Sequence, residues 1–233
     1  MSAAIYRTAL IVGAGAGLSA SLARLLAKAG LKIALAARSP DDLAELAGET
    51  GAQVFQCDAS KEEQVHKLFA DVETALGAPD AVIFNASFRT RGAFIELVPA
   101  DVEKTIAVTA FGAFLVAQAA AKLMLPNRHG AIFFTGASAS VKGYAKSAPF
   151  AMAKFALRGL AQSLARELQP QGIHVAHFVI DGGIRSERRS VPEDKPDSLL
   201  DPDAIAQTYL DVLRQPRSAW STEVELRPWV ENF

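Results

Sequence analysis

ALIVGAGAGLSASLARLLAKAG, residues 9–30, reads as strand, turn and helix in succession. The apolar run Ala9 to Val12 has the length and content of a buried strand. Gly13, Gly15 and Gly17 follow at alternate positions. Leu18, Leu22, Leu25, Leu26 and Ala29 then recur at helical spacing, and Gly30 is placed to stop the helix. In that context the glycines point to a phosphate cradle: without Cβ atoms the turn can take positive φ and let a ligand approach the backbone. The helix behind the turn offers unpaired N–H groups and the positive end of a dipole to a pyrophosphate. The plainer alternative is a tight strand-to-helix turn that binds nothing.

The same alternation continues along the chain. Strands are expected at Lys32 to Ala37, Gln53 to Cys57, Ala81 to Phe84, Ala131 to Thr135 and Ile173 to Ile180. Helices are expected between them: one carrying Leu43, Leu46 and Ala47, capped by Ser39 or Asp41, and one with Val65, Leu68, Phe69 and Val72 as its apolar face. A long helical tract from Asp101 to Leu125 and a helix from about Pro149 to Leu168 complete the set. Asp201-Pro202-Asp203 looks like another helix start, and Glu223 to Arg227 like a last strand before an aromatic close at Trp229 and Phe233. Strands alternating with helices imply βαβ units. The expected fold is therefore α/β, a Rossmann-like doubly wound parallel sheet with helices on both faces, forming one domain over residues 1–233.

Composition fits that architecture and narrows the function. Half of the 233 residues are hydrophobic, enough for a sizeable core, and the 24 basic and 25 acidic residues nearly cancel. A net charge of −1 gives no electrostatic case for nucleic acid or an anionic membrane. The single cysteine, Cys57, forms no internal disulfide, and no metal-ligand cluster stands out. The opening MSAAIYRTALIV has no basic region before a long apolar core, and no run approaches transmembrane length. A cytoplasmic protein is expected.

In a doubly wound sheet, ligands bind beyond the carboxyl ends of the strands. Arg38, after the second strand, stands where NAD-specific proteins carry an acid for the ribose hydroxyls; an arginine there suits a 2′-phosphate, or is simply a solvated loop cation. Asp58, after the third strand, could accept from an adenine amine or cap the next helix. Asn85-Ala86-Ser87 makes a small polar turn after the fourth.

Taken together, these segments resemble the short-chain dehydrogenase/reductase family from the first strand to about residue 186. Its TGxxxGxG pattern is matched by Val12-Gly13-Ala14-Gly15-Ala16-Gly17-Leu18-Ser19, with Ser19 replacing the last glycine. Its NNAG is matched by Phe84-Asn85-Ala86-Ser87, and the loop after its sixth strand by Asp181-Gly182-Gly183-Ile184-Arg185-Ser186. The resemblance implies NADP(H), favoured over NAD(H), held by Gly13, Gly15, Gly17, Leu18, Arg38, Asp58, Ala59, Asn85, Ala86, Lys154, Gly182 and Ile184. It also implies a homodimer or homotetramer, and a lid over the substrate at about 185–200. The lid's charges, beginning Arg185-Ser186-Glu187-Arg188-Arg189, read as a solvated face but leave an acidic substrate open.

The catalytic positions depart from the family. Its YxxxK is Phe150-Ala151-Met152-Ala153-Lys154 here, its serine thirteen positions earlier is Ala137, and its asparagine is Thr109. Of that set only Lys154 matches. Phenylalanine has no transferable proton and alanine no hydroxyl. Ser138 on a strict strand faces away, although a one-residue shift at the strand end would turn it toward the ligand. Tyr144 could reach in from its loop but reads better as a surface or packing residue. Asp181 is an ionisable group in the loop expected near the nicotinamide, or a helix or turn cap. His174 and His177 read as packed or hydrogen-bonded strand residues. Two functions stay open: an NADP(H)-dependent oxidoreductase with an atypical site, acting on a small carbonyl or alcohol, or an inactive nucleotide sensor or scaffold that keeps the cofactor pocket.

Overall fold

The computed structural model describes residues 6–186 and 189–230. The expected Phe233 close and the Glu187-Arg188 pair lie outside the described residues. Seven parallel strands form one sheet in the order β3-β2-β1-β4-β5-β6-β7. They are β1 (Thr8–Val12), β2 (Lys32–Ala37), β3 (Gln53–Gln56), β4 (Ala81–Phe84), β5 (Gly130–Thr135), β6 (Ile173–Ile180) and β7 (Glu223–Leu226). The strand order reverses between β1 and β4, which opens a crevice at their carboxyl ends.

Alternation along each strand builds two cores. Leu10 and Val12 of β1, Val82 and Phe84 of β4, and Ile132 and Phe134 of β5 face α3 (Glu62–Leu76), α5 (Gly112–Met124) and α6 (Ala148–Leu168). Their neighbours Ala9, Ile11, Ile83 and Phe133 face α1 (Leu18–Lys28), α2 (Ala44–Thr50) and α7 (Pro202–Leu213). Side chains of period two require helices on both faces, because both faces are apolar. The doubly wound reading of the sequence therefore holds.

Several local expectations need correcting. Of the three glycines in the first turn only Gly13 takes positive φ, +85°. Neither Ser39 nor Asp41 caps a helix with its side chain; Pro40–Leu43 forms a 3-10 turn that leads into α2. Asp58 caps no helix either. Its Oδ1 closes a local turn by accepting from the N–H and hydroxyl of Ser60, and Lys61 is the residue before α3. The long tract begins at Pro99 rather than Asp101, as α4 (Pro99–Ile106), and a π-helical turn at Ala107–Phe111 joins it to α5.

The helical run from Pro99 to Asn127, with mean hydropathy 1.7 in its most apolar window, is long and apolar enough to cross a membrane. The expectation that no run approaches that length is corrected. Half of that window is buried inside the protein, and α5 packs on α3, β4 and β5, which accounts for its apolar face.

Candidate active site

The cleft begins at the first turn. Backbone N–H groups of Gly13 and Ala14 donate to the Ala36 carbonyl at 2.9 and 3.0 Å, folding the turn over the end of β2. Gly13 is required sterically: a Cβ there would lie 2.3 Å from the amide nitrogen of Ala86. Gly15 and Gly17 differ, since a Cβ on either would meet nothing within 4 Å. Both face open space, and Gly15 lines the crevice. The amides from Gly15 to Ser19 donate to no acceptor among the described residues, and the first turn of α1 contains no acid. Five donors without protein acceptors thus stand at the positive end of α1, a geometry suited to an anion.

Ser19, in the position of the family's missing glycine, ties two turns together. Its hydroxyl donates to the Gly13 carbonyl at 3.1 Å and accepts from Asn85 Nδ2 at 2.7 Å. The side chain is buried, so the turn after β1 and the turn after β4 are fixed to each other. Only the substitution is visible in the sequence; the bond joins a small hydroxyl residue to an asparagine 66 positions away.

Gly13, Gly15, Arg38, Asp58, Ala59, Asn85 and Ala86 all line a cleft of about 550 Å³. Its wall also includes Ser39, Asp42, Cys57 and Val108, which sequence reasoning did not place there. Arg38 is exposed; burial works to raise the Asp58 carboxyl, but the hydrogen bonds from the Ser60 hydroxyl and N–H, and then the charges of Arg38 and Lys61, hold it below its usual value. Burial and the Asp58 charge push the Cys57 thiol up to about 11, so it is a protonated wall residue. Gly17 and Leu18 begin α1 at the cleft mouth, whereas Lys154, Gly182 and Ile184 do not line this cavity.

Lys154 is 3% exposed, and its Nζ donates to the Thr135 carbonyl at 2.7 Å. Burial pulls the ammonium down to about 8. The Thr135 hydroxyl in turn pairs with Tyr209 at 2.8 Å, so one residue at the end of β5 links α6 to α7. Phe150, one turn before Lys154, lies with its ring centroid 5.7 Å from Nζ. On a ring face of Phe150 sits the guanidinium of Arg89, 4.8 Å from the centroid. Arg89 was not singled out from the sequence, because a lone loop arginine has no periodic or motif signal.

The other positions compared with the family are also accounted for. Ala137 is extended, and its N–H donates to Ser140 Oγ at 3.1 Å. Thr109, fully buried in the π-helical turn, accepts from the Phe88 N–H at 3.3 Å. Ser138 opens a short 3-10 turn and neighbours Asp181, a 2% exposed carboxylate also approached by Lys142 and Arg227. Burial works to raise Asp181, but the Ser138 hydroxyl and the two cations outweigh it and keep the carboxyl low. Tyr144 is 48% exposed. His174 and His177 are buried in β6. Burial holds both near 4, so both rings are neutral at pH 7. Among the described residues no metal-ligand cluster forms.

Beyond β6, the backbone folds back on itself. Ile184 bridges Leu200, and the Leu200 N–H donates to the Gly183 carbonyl at 2.8 Å. Arg185 pairs with Asp201 at 3.0 Å. The expected lid segment is thus closed at its base by its own two ends.

The sequence profile of the short chain dehydrogenases matches residues 7–194. The chain belongs to this family. A solved short-chain dehydrogenase from Rhodopseudomonas palustris is 34% identical, with a TM-score of 0.82, covering 96% of this chain and 99% of that one. A metagenomic short-chain oxidoreductase, solved in complex with NADP, is 26% identical with a TM-score of 0.83 over 97% and 98% of the two chains. Carbonyl reductase family member 4 of Xenopus tropicalis is 26% identical over 88% of this chain and 90% of its own. As a member of an oxidoreductase family, this short-chain dehydrogenase keeps the glycine turn and the lysine but has phenylalanine and alanine at Phe150 and Ala137.

Proposed function

We propose that the protein is an NADP(H)-dependent oxidoreductase acting on a small carbonyl or alcohol compound without a tyrosine proton donor. The observation that supports it is the row of unpaired amides from Gly15 to Ser19, opening on a cleft walled by Arg38. The cleft volume lies within the range of small-molecule sites, roughly 300–1,000 Å³. The amides and the α1 N-terminus would bind the pyrophosphate, Arg38 the 2′-phosphate, and Asp58 and Ala59 would border the adenine. Asn85 and Ala86 would lie under the bound dinucleotide, with Lys154, Gly182 and Ile184 toward its nicotinamide end. The cofactor, when bound, supplies the hydride chemistry.

The chain's own contribution is then orientation. A positioned general acid or base adds about 10² to 10⁴ in rate, whereas alignment of reactants reaches effective molarities of about 10⁵ M or more. Loss of the tyrosine slows ordinary carbonyl reduction without abolishing it. A second reading, an inactive nucleotide-binding sensor or scaffold, draws support from the burial of Lys154 against Thr135. Both readings need the cofactor site.

We also infer a single cytoplasmic domain that self-associates. Phe111, Phe114, Met152 and Phe155 are each more than 40% exposed along the π-helical turn, α5 and α6, a face that a second copy would cover.

Titration of the protein with NADPH and NADH, followed by calorimetry, tests the cofactor assignment. NADPH is expected to bind roughly 10- to 100-fold more tightly than NADH, the worth of a charged hydrogen bond, with Arg38→Ala erasing the difference. No NADPH binding at millimolar concentration would overturn it.

A further inference from the structure

A second cavity, of about 480 Å³, opens at the other edge of the sheet. Its lining includes Arg128, Gly172 and Trp220, which sit shortly before β5, β6 and β7. The strands are parallel, so this cavity lies at their amino ends and the crevice beyond their carboxyl ends. Hydrogen bonds clamp its three segments together. Arg128 takes positive φ, +48°, a conformation disfavoured for a residue with a Cβ. Its carbonyl accepts from Arg217 Nη2 at 2.8 Å, and its own Nη2 donates to the Pro170 carbonyl at 3.2 Å. Gly172, with φ +89°, lies against the same Arg128 carbonyl, where a Cβ would come within 2.3 Å of the oxygen. Arg217 also lies 5.9 Å from the ring of Trp220. Arg24, Arg158 and Arg185 each have a carboxylate partner within 3.0 Å. Arg128 and Arg217 have none among the described residues, and no acid lines the cavity.

Each guanidinium therefore uses an N–H on a backbone carbonyl, which fixes its direction but leaves its charge unbalanced. The rest of each fork has no acceptor among the described residues. Such forks match phosphate oxygens in pairs, and they do so from an open surface without needing burial. A phosphate monoester carries a charge of about −1.5 to −2 near neutral pH, which two guanidinium groups balance and a single carboxylate would not. The cavity lies within the range of small-molecule sites, roughly 300–1,000 Å³, and so has room for more than the phosphate. Gln169 and Ser218, also in its lining, offer polar groups to the remainder. We propose that Arg128 and Arg217 bind the phosphate of a small phosphate monoester with a polar body, at a site separate from the dinucleotide cleft. The two sites share no residue, so this one stands or falls apart from the oxidoreductase reading.

The chain has two tryptophans, which makes a local readout possible. The Trp220 indole N–H, bonded to the Gln215 carbonyl at 3.2 Å, reports on the cavity; that of Trp229, bonded to Asp197, reports on the intact fold. Glycerol 3-phosphate, and separately inorganic phosphate, is titrated into the full chain while both indole resonances are followed by NMR, with chloride exchanged to hold ionic strength constant. Phosphate taken up by the amides from Gly15 to Ser19, at the far edge of the sheet, leaves Trp220 unmoved. A saturable shift of Trp220 alone is expected, half complete at millimolar concentration, with glycerol 3-phosphate the tighter of the two. Arg128→Lys and Arg217→Lys keep the charge but lose the fork, and each should weaken binding roughly 5- to 10-fold. Ser218→Asp sets an acid in the lining without touching either arginine and should abolish the shift. No saturable shift in the wild type, a shift that chloride reproduces, or binding that all three variants retain would overturn the site. Inorganic phosphate binding as tightly as the monoester would overturn the monoester in favour of free phosphate.

Discussion

The ammonium of Lys154 lies 2.7 Å from the carbonyl oxygen of Thr135, inside the protein and away from the wall of the cleft. A buried lysine with a single carbonyl partner is held at a cost, because burial disfavours its charged form. Its folded-state value, about 8, is below the ordinary 10.5. The unfolded chain therefore binds more protons between those two values, and stability rises with pH across that window. Below pH 8 the full cost is present, on the order of 3 kcal/mol for a shift of this size. Cys57, Tyr6 and Tyr209, all pushed upward by burial, act in the opposite direction from about pH 9. The useful quantity is thus the difference between wild type and Lys154→Met. In urea unfolding, Lys154→Met is expected to be the more stable at pH 7, by about 1–3 kcal/mol, with the gap closing toward pH 10. A gap that does not change with pH would show that the lysine is not buried as described.

The two histidines of β6 act at the acid end. His174 stacks on Trp220 with ring centroids 4.6 Å apart and bonds the Ser221 carbonyl at 2.9 Å. His177 meets Glu223 at 3.3 Å. Their folded values near 4 lie below the ordinary 6.5, so stability is complete above pH 6.5 and is lost as pH falls toward 4. The imidazole resonances of both rings should stay flat from pH 8 to 5.5 by NMR. A midpoint near 6.5 for either would contradict their burial.

Ser19 and Asn85 should behave as a coupled pair. A double-mutant cycle of Ser19→Ala and Asn85→Ala is expected to give a coupling of about 1 kcal/mol in stability. Additive effects would mean that the two turns are not joined by this bond. Gly13→Ala combines positive φ with a collision against the Ala86 backbone and should cost ~2–5 kcal/mol. Gly15→Ala meets no protein atom, so it should leave stability within ~1 kcal/mol while weakening NADPH binding.

Much of this was legible from the chain. Strand boundaries at Lys32–Ala37, Ala81–Phe84 and Ile173–Ile180 follow from short, mainly apolar runs, because both faces of each strand are largely buried. The cleft lining follows from its position after the strands. What the sequence could not show are contacts between distant loops. The Ser19–Asn85 bond and the Arg89–Phe150 stack have no periodicity, and a caplike residue such as Asp58 serves a turn as readily as a helix. The burial of Lys154 depends on where its flexible side chain turns, which helical spacing leaves free.

Self-association should disappear when its apolar face is charged. Phe111 and Phe114 stack with centroids 6.0 Å apart on the exposed side of the π-helical turn and α5. Sedimentation of the wild type is expected to show a dimer or tetramer, and the Phe111→Glu/Phe114→Glu variant a monomer. A wild type that is monomeric at high micromolar concentration would remove the interface.

The most direct test of the central claim is NADPH oxidation by the purified protein over a panel of small carbonyl compounds, anionic ones included. Lys154→Ala and the Ala137→Ser/Phe150→Tyr double variant are assayed beside the wild type. Measurable wild-type turnover is expected, lost in Lys154→Ala and raised by about 10²-fold or more when the tyrosine and serine are restored. A wild type that binds NADPH but transfers no hydride, beside a double variant that does, would contradict the claim and leave a nucleotide-binding protein that has lost its acid.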